Sequence, residues 1–196
     1  MGIKAGDEIV NVVTGERLVF HRTSADTDGD HVLVEAFVAP GGQVAAAHVH
    51  PNQEECFEVL AGRVGFRLGR QEVIAGPGQR ILVAPGIAHR FWNAGDEEAR
   101  FLCEVRPALG FERLLATMFA LARDGKVNRK GLPNKVRLAV IANHHREDVL
   151  LPFPPAWMQR AALAMGAPFG RMLGFRPTYD GAEPIAVPAQ RPALAT

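Results

Sequence analysis

The chain has 196 residues, 47% of them hydrophobic and 22% charged, and a formal net charge of +1 at pH 7. This size suits one domain with additions, and the apolar content is sufficient for a hydrophobic core. Arginines are spread along the chain without a basic run, which argues against nucleic acid or an anionic membrane as a partner. No apolar stretch has membrane-spanning length and no signal-peptide pattern opens the chain, so we expect a soluble cytoplasmic protein.

The first hundred residues predict short β-strands separated by turns rich in glycine and proline. The hairpin signal Thr14-Gly15-Glu16 lies between two of them, and a turn cluster at residues 26–30 precedes the next. The strands are predicted over residues 9–13, 17–22, 31–39, 64–68, 81–83, 89–92 and 100–106, together with those that carry the histidines discussed below. Regularly spaced short strands of this kind are typical of an all-β sandwich or barrel, and a jelly roll is one way to build it.

Beyond Pro107 the apolar residues recur at helical spacing. Helices are predicted over residues 111–122, 135–146 and 155–173, with a basic loop over 126–134. We therefore divide the chain into a β-domain over 1–107, a helical extension over 108–175 and a flexible tail, rich in proline and alanine, over 176–196.

Two features of these helices allow alternative interpretations. The pair His144-His145 ends the second helix, and because adjacent helical residues do not share a face we interpret it as a solvated helix end rather than a chelate. The apolar face of the third helix would suit a membrane surface. Its polar face lacks a lysine-rich stripe, so we favour docking onto the β-domain or onto a partner subunit. The face comprises Trp157, Ala161, Ala164, Met165 and Phe169.

Four residues carry side chains that bind metals: His48, His50, Glu55 and His89. Imidazole nitrogens and carboxylate oxygens are ligands for borderline divalent metals, and alternate residues of a strand share a face, so that His48 and His50 can point into one cavity. An isolated strand histidine is more often a surface residue or a hydrogen-bonded core residue. Glu55, however, begins an inward row with Phe57 and Val59, and a buried carboxylate needs a partner to offset its desolvation.

The residues around these four resemble the cupin family in two motifs. The first has Gly42, five residues, His48-Val49-His50, four residues, Glu55, six residues and Gly62. The second has Gly78, then Pro85-Gly86, His89 and Asn93 at the family's spacing. Ala84 stands where the family usually has proline, and Pro85 beside it can stiffen the same turn. The resemblance covers roughly residues 30–107 and leaves the helices unexplained.

The resemblance implies a mainly β fold, a double-stranded β-helix or jelly-roll cupin barrel, with the helices as an extension. It also implies one divalent metal ion (Fe, Mn, Ni, Cu or Zn) bound by the four residues, with open positions for catalysis. Our first functional expectation is a cupin type-2, quercetin-dioxygenase-like oxygenase that uses Glu55 in catalysis. The alternatives are a non-catalytic, metal-dependent binder of a small molecule and an isomerase or epimerase of a sugar-like substrate.

The substrate and partner predictions are these. Phe57, Phe66 and Phe91 are expected to form an apolar wall for a small-molecule substrate. Arg106 shares a strand face with Glu104. The pair either faces solvent or lines the pocket, where the arginine would hold a substrate carboxylate. Cupins commonly pair through their sheets, and we expect a homodimer. The two cysteines are expected to be small buried residues in a reducing cytoplasm rather than a disulfide.

Overall fold

The computed structural model describes residues 2–179, and this part contains nine β-strands and three α-helices. The strands are β1 (Glu8–Asn11), β2 (Glu16–Arg22), β3 (Val32–Val38), β4 (Glu54–Ala61), β5 (Val64–Leu68), β6 (Gln71–Ala75), β7 (Arg80–Val83), β8 (His89–Asn93) and β9 (Ala99–Arg106). The helices are α1 (Phe111–Arg123), α2 (Lys135–His144) and α3 (Ala156–Met172). The strand β6 was missed by the sequence pattern, and the segment around His48 and His50 makes only isolated bridge pairs.

The strands form two antiparallel sheets. One has six strands in the order β1-β2-β3-β9-β4-β7, and the other has three in the order β6-β5-β8. Neighbours such as β9 and β4 are distant in sequence, as the crossing connections of a jelly roll require. The predicted double-stranded β-helix architecture is thereby confirmed as two sheets that enclose one apolar core.

The core lies between the two sheets because each inner strand alternates buried and less buried residues. In β4, Glu55, Phe57 and Val59 are buried while their neighbours are partly exposed. The ring of Phe57 packs on that of Phe66 in the smaller sheet, with 5.1 Å between centroids. The predicted inward row that begins at Glu55 is confirmed, and it places a carboxylate at the end of an apolar face.

The helical extension packs partly on the β-domain and partly on itself. Phe111 and Phe119 of α1 join the core of the sheets. Asn134 caps α2 by accepting a hydrogen bond from the Arg137 backbone N–H at 2.9 Å. The third helix, α3, packs on α2. Within residues 2–179, none of the helices is long and apolar enough to cross a membrane.

The apolar face of α3 does not dock onto the β-domain. Trp157, Met165 and Phe169 are 71%, 75% and 56% exposed, whereas the residues that α3 buries include Ala167 and Gly170. The other alternative, a partner subunit on this face, stays a prediction. Of the tail predicted from residue 176 onward, residues 180–196 lie outside the described part. Within it, Tyr179 donates a hydrogen bond to Asp124 Oδ2 at 2.8 Å.

Candidate metal centre

The four predicted metal ligands come from three places in the chain. Glu55 is the second residue of β4 and pairs with Val83 and Val105 on the neighbouring strands. His89 opens β8, and His48 exchanges both backbone hydrogen bonds with it, at 2.9 and 2.8 Å. His50 follows two residues later on the same side as His48. The strand pairing thus brings together residues that are 41 positions apart.

The ligand atoms of the four residues all lie within 4.8 Å of one another. His50, Glu55 and His89 are only 2–3% exposed, and His48 is partly buried. Glu55 Oε2 is 2.6 Å from His89 Nε2, yet neither atom has hydrogen-bond geometry to any partner in the described residues. His50 Nε2 is likewise without a hydrogen bond. Glu55 Oε1 lies 3.4 Å from His50 Nε2, so the carboxylate is close to both imidazoles and the four groups converge on one point.

This arrangement fits a divalent metal ion. Buried polar atoms without a partner cost on the order of 1–3 kcal/mol each, and a cation between them would satisfy several at once. Three imidazole nitrogens and one carboxylate oxygen are a ligand set that first-row transition metals and zinc accept. The cluster of His48, His50, Glu55 and His89 could hold such an ion.

On each imidazole, the hydrogen bond of Nδ1, the nitrogen that points away from the cluster, fixes the tautomer. His48 Nδ1 and His89 Nδ1 each lie 3.0 Å from a backbone carbonyl oxygen two residues earlier, of Ala46 and Ile87. His50 Nδ1 bonds to the carbonyl oxygen of Asp148. Because a carbonyl can only accept, each Nδ1 carries a proton, and in the neutral ring each Nε2 then presents its lone pair to the cluster.

Burial and mutual contacts shift the pKa values of these groups. Burial raises the pKa of Glu55, but the imidazoles of His50, His89 and His48 outweigh it and lower the pKa to about 2. Burial, together with the neighbouring imidazoles, lowers the pKa of His48 to about 3. At neutral pH, His48 is therefore a neutral nitrogen donor and Glu55 an anionic oxygen donor, which are the protonation states that bind a metal.

A second buried network, which sequence reasoning missed, lies behind His50. Gln53 Oε1 is 3.1 Å from His50 Nδ1, and its Nε2 donates to the carbonyl oxygens of Pro107 and Ala108 at 2.9 and 3.1 Å. Asp148 accepts from His145 Nδ1 at 2.6 Å and from the Gly110 N–H at 2.8 Å. The prediction of a solvated helix end is wrong for His145, which is 1% exposed, although His144 is exposed.

The predicted substrate residues fall in different places. Phe57 and Phe66 are fully buried core residues and Phe91 is partly buried. The Phe57 ring lies 6.5 Å from that of His89, so this apolar cluster borders the candidate metal centre. Arg106 is not brought to the centre. Its register partner is Glu54 rather than Glu55, and its half-exposed side chain pairs with Asp30 and Glu104, as the solvent-facing interpretation describes.

The two cysteines are free thiols, as predicted, but only Cys103 is buried and Cys56 is partly exposed. Cys103 Sγ lies 4.0 Å from Glu55 Oε1, a proximity that the sequence did not reveal. Burial, reinforced by the negative charge of Glu55, raises the pKa of the Cys103 thiol well above its ordinary value. Cys103 is therefore a neutral neighbour of the carboxylate rather than a thiolate ligand.

Comparison with known proteins gives the same assignment for the β-domain. A family model described as the cupin domain matches residues 34–105. Polyketide synthase CurC of Streptomyces cyaneus is 33% identical over 72 residues, which are 37% of this chain and 46% of that protein. Protein SchB of Streptomyces halstedii is 36% identical over 72 residues, 37% of this chain and 51% of that protein. The matched segment thus spans about half the length of these curated relatives.

Two bacterial proteins are among the solved structures with a similar fold. A predicted oxalate decarboxylase from Thermotoga maritima superposes with a TM-score of 0.48 at 17% identity, covering 55% of this chain and 99% of that one. A protein with a double-stranded β-helix domain from Klebsiella pneumoniae gives a TM-score of 0.42 at 23% identity, covering 56% and 84%. The family match identifies residues 34–105 of this chain as a cupin domain.

Proposed function

We propose that this protein is a metal-dependent enzyme that acts on a small apolar molecule, with oxygenase chemistry of the quercetin-dioxygenase-like kind as the first candidate. The observation that carries the proposal is the convergence of four ligand atoms within 4.8 Å in a buried site. Nε2 of His50 and His89 and Oε2 of Glu55 have no hydrogen bond there. When bound, a redox-active ion would supply electron transfer and Lewis acidity.

The protein's own groups would set the charge and the surroundings of that ion. As ligands, the histidines would each present an Nε2 lone pair, and Glu55 would contribute the one negative charge. A general base works best when its pKa is near the working pH, so a pKa of about 2 favours Glu55 as a charged ligand over a proton acceptor. Phe57 beside His89 and Cys103 beside Glu55 are buried, and they leave a medium with little water in which charges act strongly.

The substrate class follows from apolar surroundings and from one relative. Phe91 is partly buried and packs against the core rings of Phe57 and Phe101, and these apolar surroundings favour a ligand with an aromatic ring over a strongly charged one. One matched protein is named as a polyketide synthase. We therefore infer that phenolic compounds of the polyketide type are the first substrates to test. Two free thiols suit the reducing cytoplasm as the place of this activity.

The test uses the purified protein, stripped of metal and reloaded separately with Fe, Mn, Ni, Cu and Zn. Elemental analysis gives the metal content of each form. Oxygen consumption is then measured with phenolic and keto-acid compounds. We expect one equivalent of metal and oxygen uptake with a redox-active ion. The zinc form should bind the same compound without turnover, because zinc transfers no electrons.

Glu55→Gln supplies the residue-level test of the same proposal. Loss of the anionic ligand should lower turnover more than substrate binding, since the carboxylate sets the charge of the ion at which the chemistry takes place. Glu54→Gln is the matched control, because Glu54 is adjacent but on the opposite face of β4. If a compound that binds every metal form equally is never oxidised, the oxygenase proposal fails. A binding protein or an isomerase would then take its place.

A further inference from the structure

His50 differs from the other two histidines of the candidate centre in what holds it. His48 and His89 bond through Nδ1 to carbonyl oxygens of their own strand segments, two residues away. The Nδ1 of His50 lies 3.1 Å from Gln53 Oε1 and makes its shorter bond, at 2.5 Å, to the carbonyl oxygen of Asp148, 98 residues away in the loop after α2. A residue of the helical extension thus completes the surroundings of a residue in the cupin domain.

Three contacts hold Asp148 and the residues that follow it in place. Its carboxylate accepts hydrogen bonds from His145 Nδ1 at 2.6 Å and from the Gly110 N–H at 2.8 Å. Two residues on, Leu150 exchanges backbone hydrogen bonds with Val49, the residue between the two ligand histidines, at 2.8 and 2.9 Å. Asp148 is 5% exposed and His145 is 1% exposed, so little water competes with these bonds.

The absence of a side chain at Gly110 leaves space for the His145–Asp148 pair. A Cβ on Gly110 would lie 2.7 Å from Asp148 Oδ2 and 3.0 Å from His145 Nδ1, both inside van der Waals contact. Only glycine allows the backbone N–H of this residue to approach the carboxylate so closely. The contact between the start of α1 and the loop after α2 is therefore specific to these residues.

We propose that His145 and Asp148 are positioning residues, through which the helical extension orients the His50 imidazole for metal binding. The inference rests on the proposed function, since it requires that the four cupin residues bind a metal. The Asp148 carbonyl fixes the His50 tautomer and ring plane, and His145 fixes that carbonyl through the Asp148 side chain. Partners of this kind change metal affinity without touching the ion.

The extension has a second carboxylate anchor that serves as a comparison. Glu112 of α1 accepts hydrogen bonds from the Ser24 N–H at 2.9 Å and from Ser24 Oγ at 2.7 Å. This contact also ties the extension to the β-domain, but none of its recorded bonds reaches a metal ligand. Loss of Glu112 should loosen the extension and leave His50 in place.

The experiment compares the metal affinity of Asp148→Ala, His145→Leu and Glu112→Ala with that of the parent protein. Zn²⁺ dissociation constants are measured by competition with a chromophoric chelator, and ligand geometry is read from the visible spectrum of the Co²⁺ form. Asp148→Ala should weaken Zn²⁺ binding by about 10- to 100-fold and shift the Co²⁺ bands. Glu112→Ala should lower the melting temperature and change neither.

His145→Leu keeps the proposal testable if Asp148→Ala fails to fold. Leucine retains much of the buried volume, and only the Nδ1 bond is lost because His145 Nε2 has no hydrogen-bond partner in the described residues. It should weaken Zn²⁺ binding in the same direction. Asp148→Asn keeps an oxygen for the Gly110 N–H but loses the acceptor for His145 Nδ1, so its affinity should fall between those of the parent and Asp148→Ala.

The outcomes separate this inference from the proposed function. If the parent binds Zn²⁺ but folded Asp148→Ala and His145→Leu match it in affinity and spectrum, the positioning role is refuted and the metal centre stands. An equal loss in Glu112→Ala also refutes the role, because the effect would be a general loosening. If the parent binds no metal at all, the proposed function falls and this inference falls with it.

Discussion

At the candidate metal centre, two opposing effects act on each residue. Burial disfavours charge on Glu55, His48 and His89, while the contacts between carboxylate and imidazole favour it. For Glu55 the contacts prevail and the carboxylate stays ionised. For His48, which also faces two other imidazoles, burial prevails and the ring stays neutral. For His89 the contact with Glu55 prevails and raises the pKa of the ring, so a metal at this ring would have to displace a proton.

The first prediction is that alanine at His48, His50 or His89 releases the metal and leaves much of the fold intact. Each change removes one of four ligands, whereas the apolar core of the sheets supplies most of the stability in a chain of this size. Elemental analysis of the three variants and far-UV circular dichroism are the measurements. His21→Ala is the control, because His21 pairs with Glu35 away from the centre. Undiminished metal in any variant would remove that residue from the ligand set.

The second prediction concerns Glu16, a carboxyl that is 7% exposed at the start of β2. Burial raises the pKa of Glu16 to about 7, and a contact with Thr14 opposes this only in part. The pKa is higher in the folded than in the unfolded chain, so its favourable contribution to folding is present at low pH. That contribution is lost as the pH rises from about 4.5 through 7.

Glu16→Gln removes this loss because the amide does not ionise. The free energy of unfolding of the variant minus that of the parent should increase by about 2 kcal/mol from pH 5 to pH 8.5. Urea unfolding of the metal-free proteins at both pH values is the measurement. Glu98→Gln, at an exposed position, should show no such gain. Parallel pH profiles for the parent and Glu16→Gln would contradict the prediction.

At the scale of elements, the sequence predicted most where local pattern and local structure coincide. The alternation in β4 and β9 follows from one face packing on the core, so both strands and the orientation of Glu55 could be predicted. The motif spacings placed His48, His50 and His89 correctly because short turns and strand pairing bring them together. The strand β6 was missed because four of its five residues are exposed and show no alternation.

Contacts between distant elements could not be predicted in this way. Nothing in a periodic pattern connects Asp148 with His50, or predicts that His145 is buried with its Nδ1 on the Asp148 carboxylate. The helices were found near their true bounds from the 3.6-residue spacing, but the face that α3 presents was not. The apolar stripe of α3 predicted burial, whereas small residues make the actual contact with α2.

The third prediction tests that helix contact at Gly170. A Cβ there would lie 2.4 Å from Val140 Cγ2 and 3.1 Å from the Val136 carbonyl oxygen, so α3 could not keep its distance from α2. Gly170→Ala should destabilise the protein by about 1–3 kcal/mol, the usual cost of overpacking.

Gly166→Ala is the matched control in the same helix. Its Cβ would meet only Ala139, at the ordinary distance of 3.8 Å, so the higher helix propensity of alanine should stabilise by about 0.5–1 kcal/mol. Urea unfolding of both variants gives the two changes in free energy. Equal effects of the two substitutions would show that α3 does not cross α2 at Gly170.

At the scale of the whole molecule, the main exposed apolar surface of the described residues lies along α3 and the segment before it. Its side chains include Phe153, Trp157, Met165, Phe169 and Met172, each at least 56% exposed. Exposed apolar surface of this extent is typical of an interaction face. The sheets also have outer strands, β1 and β7, whose free edges favour pairing with another chain.

The fourth prediction is that the protein is a homodimer at micromolar concentration, with the exposed face of α3 in the interface. Light scattering should give twice the mass of the chain, and removal of the residues after Arg176 should leave that mass unchanged. Met165→Glu should give the monomer, because burying an unpaired carboxylate at the interface costs more than the contact contributes. Val12→Glu, at a similarly exposed apolar position (71% against 75%), is the control and should remain dimeric. A monomeric parent would refute the dimer, and a dimer that survives Met165→Glu would place its interface on another surface, with the free sheet edges as the next to test.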